Sequence, residues 1–134
     1  MNAGRILRNA GYDTDVLRVH ITPVDPDRIN VYPASKTMRR FWQKGIEGVT
    51  IRNLVFVNPE LMRGDPQRLA RLVIHELVHV RQFNDAGYIG FMIRYIRDYV
   101  GGLLSGKKLR QAYLDVGAER EARELTAEVV RLAR

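Results

Sequence analysis

The stretch of sequence that decides the fold is DPQRLARLVIHELVHVRQFNDAG, residues 65–87. It predicts a helix that begins at Asp65 and Pro66, because an N-cap carboxylate accepts a backbone N–H and proline is tolerated at the first helical position. Gly87 marks the end of this helix. Its apolar face is predicted to be buried and contains Ala70, Val73, Leu77 and Val80. The face that carries His75 lies about 200° away, as the floor of a cleft requires.

The same helix carries the string HELVH, from His75 to His79. Histidines at positions i and i+4 share one face of a helix, so both imidazoles can bind one metal ion. Glu76 lies between them and can act as general base for a water beside the metal. The alternative is a pair of ordinary helix histidines with a solvated glutamate. The combined pattern favours a metal site.

Composition limits the kind of metal site. The chain has 134 residues, 46% of them hydrophobic, which fits one domain spanning residues 1–134 with a core of its own. It has no cysteine, so disulfides and thiolate zinc sites are excluded. Any metal must be bound by histidine and carboxylate, and that donor set suits Zn²⁺.

Charge and hydropathy bear on location and partners. The amino terminus lacks a secretory h-region, and the apolar stretch at 88–104 is short and interrupted by charges, so a cytoplasmic protein without a transmembrane segment is expected. The net charge of +7 is scattered, and no specific nucleic-acid partner is expected. Lys107 and Lys108, which follow Leu103 and Leu104, could contact anionic lipid, but we expect them to face solvent. The sequence carries no signal for an oligomeric state.

Strand signals come first along the chain and helix signals second. Alternating residues predict strands at 16–22, 28–34 and 49–57, the first two joined as a hairpin. A short helix capped by Ser35, with Met38, Phe41 and Trp42 on one side, is predicted to stop at Gly45. Further helices are predicted at about 88–104, between 109 and Leu114, and from about 118 to the end. This order indicates an α+β fold, with a small, mostly antiparallel sheet followed by a helical half that carries the metal site.

The strand at 49–57 is the best strand signal in the chain. Its core phase is predicted to contain Val49, Ile51, Val55 and Val57. The other phase, Thr50, Arg52, Leu54 and Phe56, is predicted to face substrate or solvent. An extended peptide can pair with the edge of such a strand. The aromatic run Tyr88, Phe91, Tyr95 and Tyr99 has helical spacing and is predicted to belong to the core.

A catalytic zinc ion usually needs a third protein ligand. His20 lies far upstream, and the nearest downstream source of carboxylates is GAEREARE, residues 117–124. On a helix, Glu119 shares a face with Ala122, Thr126 and Val130, whereas Glu121 falls about 200° away. The competing interpretation is a charged helix surface on which Glu119 pairs with Arg123.

Together these strings resemble the gluzincin class of zinc metallopeptidases and bacterial domains that carry HELxHVxQ, matched here by HELVHVRQ at 75–82. The resemblance covers residues 65–133, about half the chain. It implies a zincin-like fold, Zn²⁺ bound by His75, His79 and Glu119, and hydrolysis of a peptide or protein substrate. The ligand assignment follows the family's string, in which the first Glu binds the metal and an alanine stands three positions on.

Two departures from the gluzincin pattern concern residues around the metal. Many members have an aspartate four positions after the ligand Glu, where this chain has Arg123. Members also use a tyrosine or histidine to stabilise the oxyanion. The candidates here are Tyr113, Tyr88, Tyr95 and His20, and Tyr113 is preferred because it is nearest to Glu119.

Three functions remain open from the sequence. The first is a zinc metallopeptidase in which Glu76 is the general base and Tyr113 assists catalysis. The second is a metal-stabilised binding module of a larger bacterial assembly, with the same ligands and no turnover. The third is a basic nucleic-acid binder, which no local motif favours.

Overall fold

The long helix of the HELVH string is the centre of the molecule. The computed structural model describes residues 1–42 and 45–134. Its helices are α1 (Ala3–Asn9), α2 (Thr14–Ile21), α3 (Lys36–Arg40), α4 (Pro59–Met62), α5 (Pro66–Ala86), α6 (Tyr88–Leu104), α7 (Leu109–Leu114) and α8 (Gly117–Leu132), with a 3₁₀ turn at Pro26–Arg28. Its strands are β1 (Val31–Pro33), β2 (Gly48–Ile51) and β3 (Leu54–Val57). The fold is α+β, as predicted.

Helix α5 confirms the prediction made from its sequence. The Asp65 carboxylate accepts the backbone N–H of Gln67 at 2.9 Å, and Pro66 occupies the first turn. Gly87 ends the helix with a φ of 74°, a conformation that glycine adopts without strain. The predicted apolar face is fully buried. It packs against α1, α8 and the sheet, so the helix is held from several sides.

The sheet is mixed rather than mostly antiparallel. Its order is β1-β3-β2, in which β1 runs parallel to β3 and β2 runs antiparallel to it. The predicted strand at 28–34 is reduced to Val31–Pro33. Because β1 is separated from β3 by α3 and β2, the chain returns in the same direction and the pairing becomes parallel.

The single strand predicted at 49–57 is wrong: the segment is a tight β2–β3 hairpin. Arg52 lies in the turn with a left-handed φ of 58°. A two-residue turn reverses the alternation, so Thr50 pairs with Val55 and faces the same side of the sheet. Val55 and Val57 are buried as predicted, but Ile51 is exposed and Thr50 faces α5. The prediction that Val49 and Ile51 lie on the same buried face as Val55 and Val57 is therefore wrong.

Residues 16–22, predicted as a strand, form most of α2. The Asp13 carboxylate caps this helix by accepting the backbone N–H groups of Asp15 and Val16. Leu17 and Ile21 are fully buried, whereas Val19 is 75% exposed. The spacing of Leu17 and Ile21 fits one face of a helix as well as one face of a strand, and the cap decides between them. The predicted hairpin with 28–34 is consequently absent from the described residues.

The helix predicted after Ser35 forms but is shorter than expected. The Ser35 hydroxyl accepts the backbone N–H of Met38 at 3.1 Å, and α3 ends at Arg40. Phe41 is 85% exposed, so it does not belong to a buried side of this helix. The part of the prediction that falls on residues 43 and 44 lies outside the described residues.

The helical half follows the predicted order. Helices α6, α7 and α8 begin and end within about two residues of the predicted bounds. Of the aromatic run on α6, Phe91 is buried and Tyr88 is exposed. No helix among the described residues has the length and apolar content needed to cross a bilayer.

Candidate metal centre

The two histidines of the HELVH string meet a carboxylate from α8. His75 Nε2 lies 3.2 Å from Glu119 Oε2, and His79 Nε2 lies 3.2 Å from Glu119 Oε1. Suitable donor atoms of the three residues all lie within 4.8 Å of one another. His79 and Glu119 are buried, and the His75 side chain is 19% exposed. The arrangement follows from helix geometry on α5 and from the packing of α8 against it.

The geometry and chemistry of these donors fit a divalent cation. Two donors bound at about 2.1 Å to one zinc ion in tetrahedral geometry lie about 3.4 Å apart. The two nitrogen–oxygen distances of 3.2 Å are close to that separation. Two imidazoles and one carboxylate are also a common donor set for catalytic zinc. The partial exposure of His75 leaves one side of the group open to an adjacent cavity.

Electrostatics tie the three residues together in the absence of a metal. Burial raises the pKa of Glu119, but hydrogen bonds from His75 and His79 outweigh it and hold the pKa well below its usual range. Burial lowers the pKa of His79, but the Glu119 carboxylate outweighs it and raises the pKa to about 9. At neutral pH the metal-free protein therefore holds a proton on His79, in the position that a cation takes when it binds.

Glu76 lies beside this group and is itself buried. The Thr50 hydroxyl donates to Glu76 Oε2 at 2.5 Å, and it lies 3.2 Å from the Glu76 backbone oxygen. Burial raises the pKa of Glu76 in spite of the neighbouring His79 and His75. Strand β2 approaches closely because residue 48 is glycine: a Cβ there would lie 3.0 Å from Glu76 Oε1. Sequence reasoning identified Glu76 but missed both partners on β2.

Gln82 occupies the position of an orienting residue. His79 Nδ1 lies 2.8 Å from Gln82 Oε1, so the protonated Nδ1 donates and Nε2 is directed towards Glu119. The amide nitrogen of Gln82 donates to the Ala118 carbonyl oxygen at 3.0 Å and to Glu121 at 3.1 Å. The side chain therefore joins α5 to α8 next to the candidate ligands.

Three charged side chains of α8 differ in direction: one points into the protein and two point outward. Glu119 is buried among the histidines, whereas Glu121 is exposed and accepts from Gln82. Arg123 donates to the Leu114 carbonyl oxygen at 2.6 Å. The alternative in which Glu119 pairs with Arg123 on a charged surface is therefore wrong, because the Glu119 carboxylate is directed towards His75 and His79.

Two tyrosines border the Glu119 carboxylate. The Tyr95 hydroxyl donates to Glu119 Oε1 at 3.0 Å, so this residue of the predicted aromatic core has a polar function that its spacing did not reveal. Tyr113 borders both cavities beside the site. Burial, followed by the Glu119 charge, raises the pKa of both phenols, which keeps them protonated. His20 lies on α2 and is not part of the converging group.

Two cavities meet at the candidate metal centre and differ in chemistry. One, of about 540 Å³, is bordered by His75, Glu76 and Tyr113 and by the arginines Arg68, Arg71 and Arg123. The other, of about 310 Å³, reaches His79 and Glu119 and has apolar walls formed by Val49, Ile51, Phe83, Phe91 and Met92. A chain that crosses the site therefore meets a charged surface on one side, where Arg68 is paired with Glu47, and an apolar surface on the other.

Comparison with protein-family models, with curated protein sequences and with solved structures finds no match to this chain. The interpretation of the site therefore depends on its own geometry.

Proposed function

We propose that the protein is a zinc-dependent metallopeptidase with a zincin-like fold of the gluzincin type. The observation that carries this proposal is the convergence of His75, His79 and Glu119 beside a buried Glu76. Three protein donors with one open side are the usual arrangement of a catalytic zinc site, whereas structural sites are closed by four protein donors.

His75, His79 and Glu119 would hold the zinc ion. When bound, zinc lowers the pKa of a coordinated water towards about 7 and polarises a carbonyl group. Gln82 fixes the ring orientation of His79, and Tyr95 fixes one oxygen of Glu119. Such partners set the direction of the donor atoms and contribute to metal affinity.

Glu76 would act as general base. Its carboxylate takes the proton of the water that attacks the scissile carbonyl carbon, and it passes this proton to the nitrogen of the departing amine. Burial raises the pKa of Glu76, which makes its carboxylate a stronger base for the proton of the water. The Thr50 hydroxyl holds one carboxylate oxygen, which leaves the other for the water.

Tyr113 would stabilise the oxyanion. Both tyrosines interact with the Glu119 carboxylate, but of the two it is Tyr113 that borders both cavities where a substrate would cross. A protonated phenol beside the developing negative charge stabilises the transition state more than the ground state. The choice of Tyr113 as the residue that stabilises the oxyanion stays a prediction.

An extended peptide is the substrate that fits the surroundings. Strand β2 is the edge of the sheet, and Thr50 places it next to Glu76. Its free edge can pair with a peptide backbone. The apolar cavity beside His79 fits a large apolar side chain next to the scissile bond.

The direct test measures bound zinc in the purified protein and in two variants of α8. Glu119→Ala is expected to lose zinc, and the matched control Glu124→Ala is expected to retain it, because Glu124 is exposed on the same helix. Stoichiometric zinc in Glu119→Ala would contradict the ligand assignment.

Hydrolysis of a peptide library separates the enzyme from the alternative, a metal-stabilised module without turnover. That alternative is favoured by the bridge that the candidate ligands form between α5 and α8. For an enzyme, Glu76→Gln retains zinc and loses cleavage by a factor of about 10² or more. Zinc binding that raises the melting temperature, with no cleavage by the wild type, identifies the module.

A further inference from the structure

Helix α6 exposes a continuous apolar stripe. Its members recur at helical spacing and are 43–84% exposed: Ile89, Ile93, Ile96, Val100 and Leu104. Four of them border one shallow depression of about 510 Å³. The opposite face of the helix packs on the protein through Phe91 and Tyr95. A contiguous stripe of this kind on a helix surface indicates an interaction site rather than scattered exposed residues.

The surroundings of the stripe are basic. Residues 88–114 contain five basic side chains and one acidic one, Asp98. Asp98 accepts the backbone N–H of Gly117 at 3.2 Å and pairs with Arg97 at 3.7 Å. Lys107 is paired with Asp115, whereas Arg97 borders the depression itself, and Arg94 and Lys108 are exposed. The region therefore combines an apolar surface with an excess of positive charge.

We infer that α6 binds the surface of an anionic lipid bilayer, with its axis in the plane of the membrane. An in-plane helix buries its apolar face at the boundary of headgroups and acyl chains and places basic residues among anionic headgroups. The 17 residues of α6 match this arrangement. A second copy of the chain is the poorer occupant, because two apposed stripes would bring Arg94 and Arg97 of both copies together.

This surface is independent of the proposed chemistry. The stripe faces away from Glu119, which is contacted by Tyr95 on the opposite side of α6. Binding to lipid therefore needs neither the metal nor Glu76. A failure of one proposal leaves the other intact, and the two are measured separately.

The test is sedimentation of the full chain with vesicles of phosphatidylcholine, with and without phosphatidylglycerol. The wild type is expected to sediment with the anionic vesicles and to be released by salt. Ile93→Asp is expected to weaken this binding by about tenfold or more, because a charged group replaces a buried apolar one. Arg97→Gln is expected to weaken it by about fivefold, because Arg97 borders the stripe.

Val19→Asp is the matched control, since Val19 is equally apolar and 75% exposed but lies on α2. It is expected to bind vesicles like the wild type. Circular dichroism confirms that each variant is folded. The inference is overturned by a wild type that does not bind anionic vesicles, by equal binding of Ile93→Asp, or by equal binding to neutral vesicles. A wild-type dimer that Ile93→Asp converts to a monomer, without vesicle binding, overturns it in favour of a second copy.

Discussion

Helices α5 and α6 are consecutive, long and rich in apolar residues, yet they have opposite places in the molecule. Helix α5 buries ten of its 21 residues, including Glu76 and His79. Helix α6 buries one of its 17. Because α5 is covered on several sides, its polar residues must find partners, and those partners define a chemical site. Because α6 is covered on one side, its remaining apolar residues are available to another surface.

Removal of metal is expected to have the largest effect on stability, because two of the three candidate ligands lie on α5. If zinc binds only the folded protein and the concentration of free zinc is about a thousand times the dissociation constant, binding adds about 4 kcal/mol to the free energy of unfolding. Thermal melting with zinc and with chelator measures this difference. Glu119→Ala is expected to melt at the same temperature in both conditions, and a zinc-dependent shift in that variant would contradict the site.

Truncation of one apolar side chain on each helix compares them directly. Leu77→Ala on α5 is expected to lower the free energy of unfolding by about 2–5 kcal/mol, because Leu77 is fully buried. Ile93→Ala on α6 is expected to change it by less than about 0.5 kcal/mol. Urea unfolding measures both values. Equal losses would mean that the α6 stripe is covered within the folded chain.

The stability of the metal-free protein is expected to depend on pH because His79 on α5 titrates. The pKa of His79 is about 9 in the folded protein and 6.5 without the fold. A raised pKa contributes stability that is complete below pH 6.5 and is lost as pH rises through about 9. Urea unfolding of the chelated protein is therefore expected to show a decline between pH 7 and 10. The zinc-loaded protein serves as control, since the metal replaces the proton, and an equal decline there would point to another group.

Thr50→Val is expected to have a small effect on stability. It removes the hydroxyl that donates to Glu76 and keeps the shape of the side chain. We expect a loss of about 1 kcal/mol in the free energy of unfolding, with a larger relative loss of peptide hydrolysis. Thr37→Val is the control, because Thr37 is exposed. Unchanged hydrolysis in Thr50→Val would show that Glu76 is oriented without β2.

The helical half was predictable because its signals are local. The Asp65 cap and Gly87 mark the ends of α5, and helical periodicity indicates α6 and α8 and places Glu119 on the inward face. The β2–β3 turn was not predictable, since Arg52 adopts a left-handed conformation usually given to glycine or asparagine. Because the two-residue turn reverses the alternation of side chains, the prediction placed Thr50 on the face of the sheet opposite to Val55, whereas both lie on the same face. Leu17 and Ile21 suited both a strand and a helix, and the Asp13 cap was the signal that could have decided.

The partners of the candidate ligands depend on tertiary packing. Gln82 and Tyr95 were correctly placed on their helices, but their contacts with His79 and Glu119 require the approach of α5, α6 and α8. Nothing in a single sequence defines that approach. Gly48 gives a usable signal in hindsight, because glycine at the start of a strand often marks a close approach of the backbone to another group.

His75 and Glu119 are separated by 44 positions along the chain, and α6 and α7 lie entirely between them. A metal that joins these residues acts as a cross-link that closes this segment into a loop. A protease cut in the exposed loop at 105–108 would then leave two fragments held together by the metal. Chelation would remove this link and leave α7 and α8 held to the rest of the protein by packing alone.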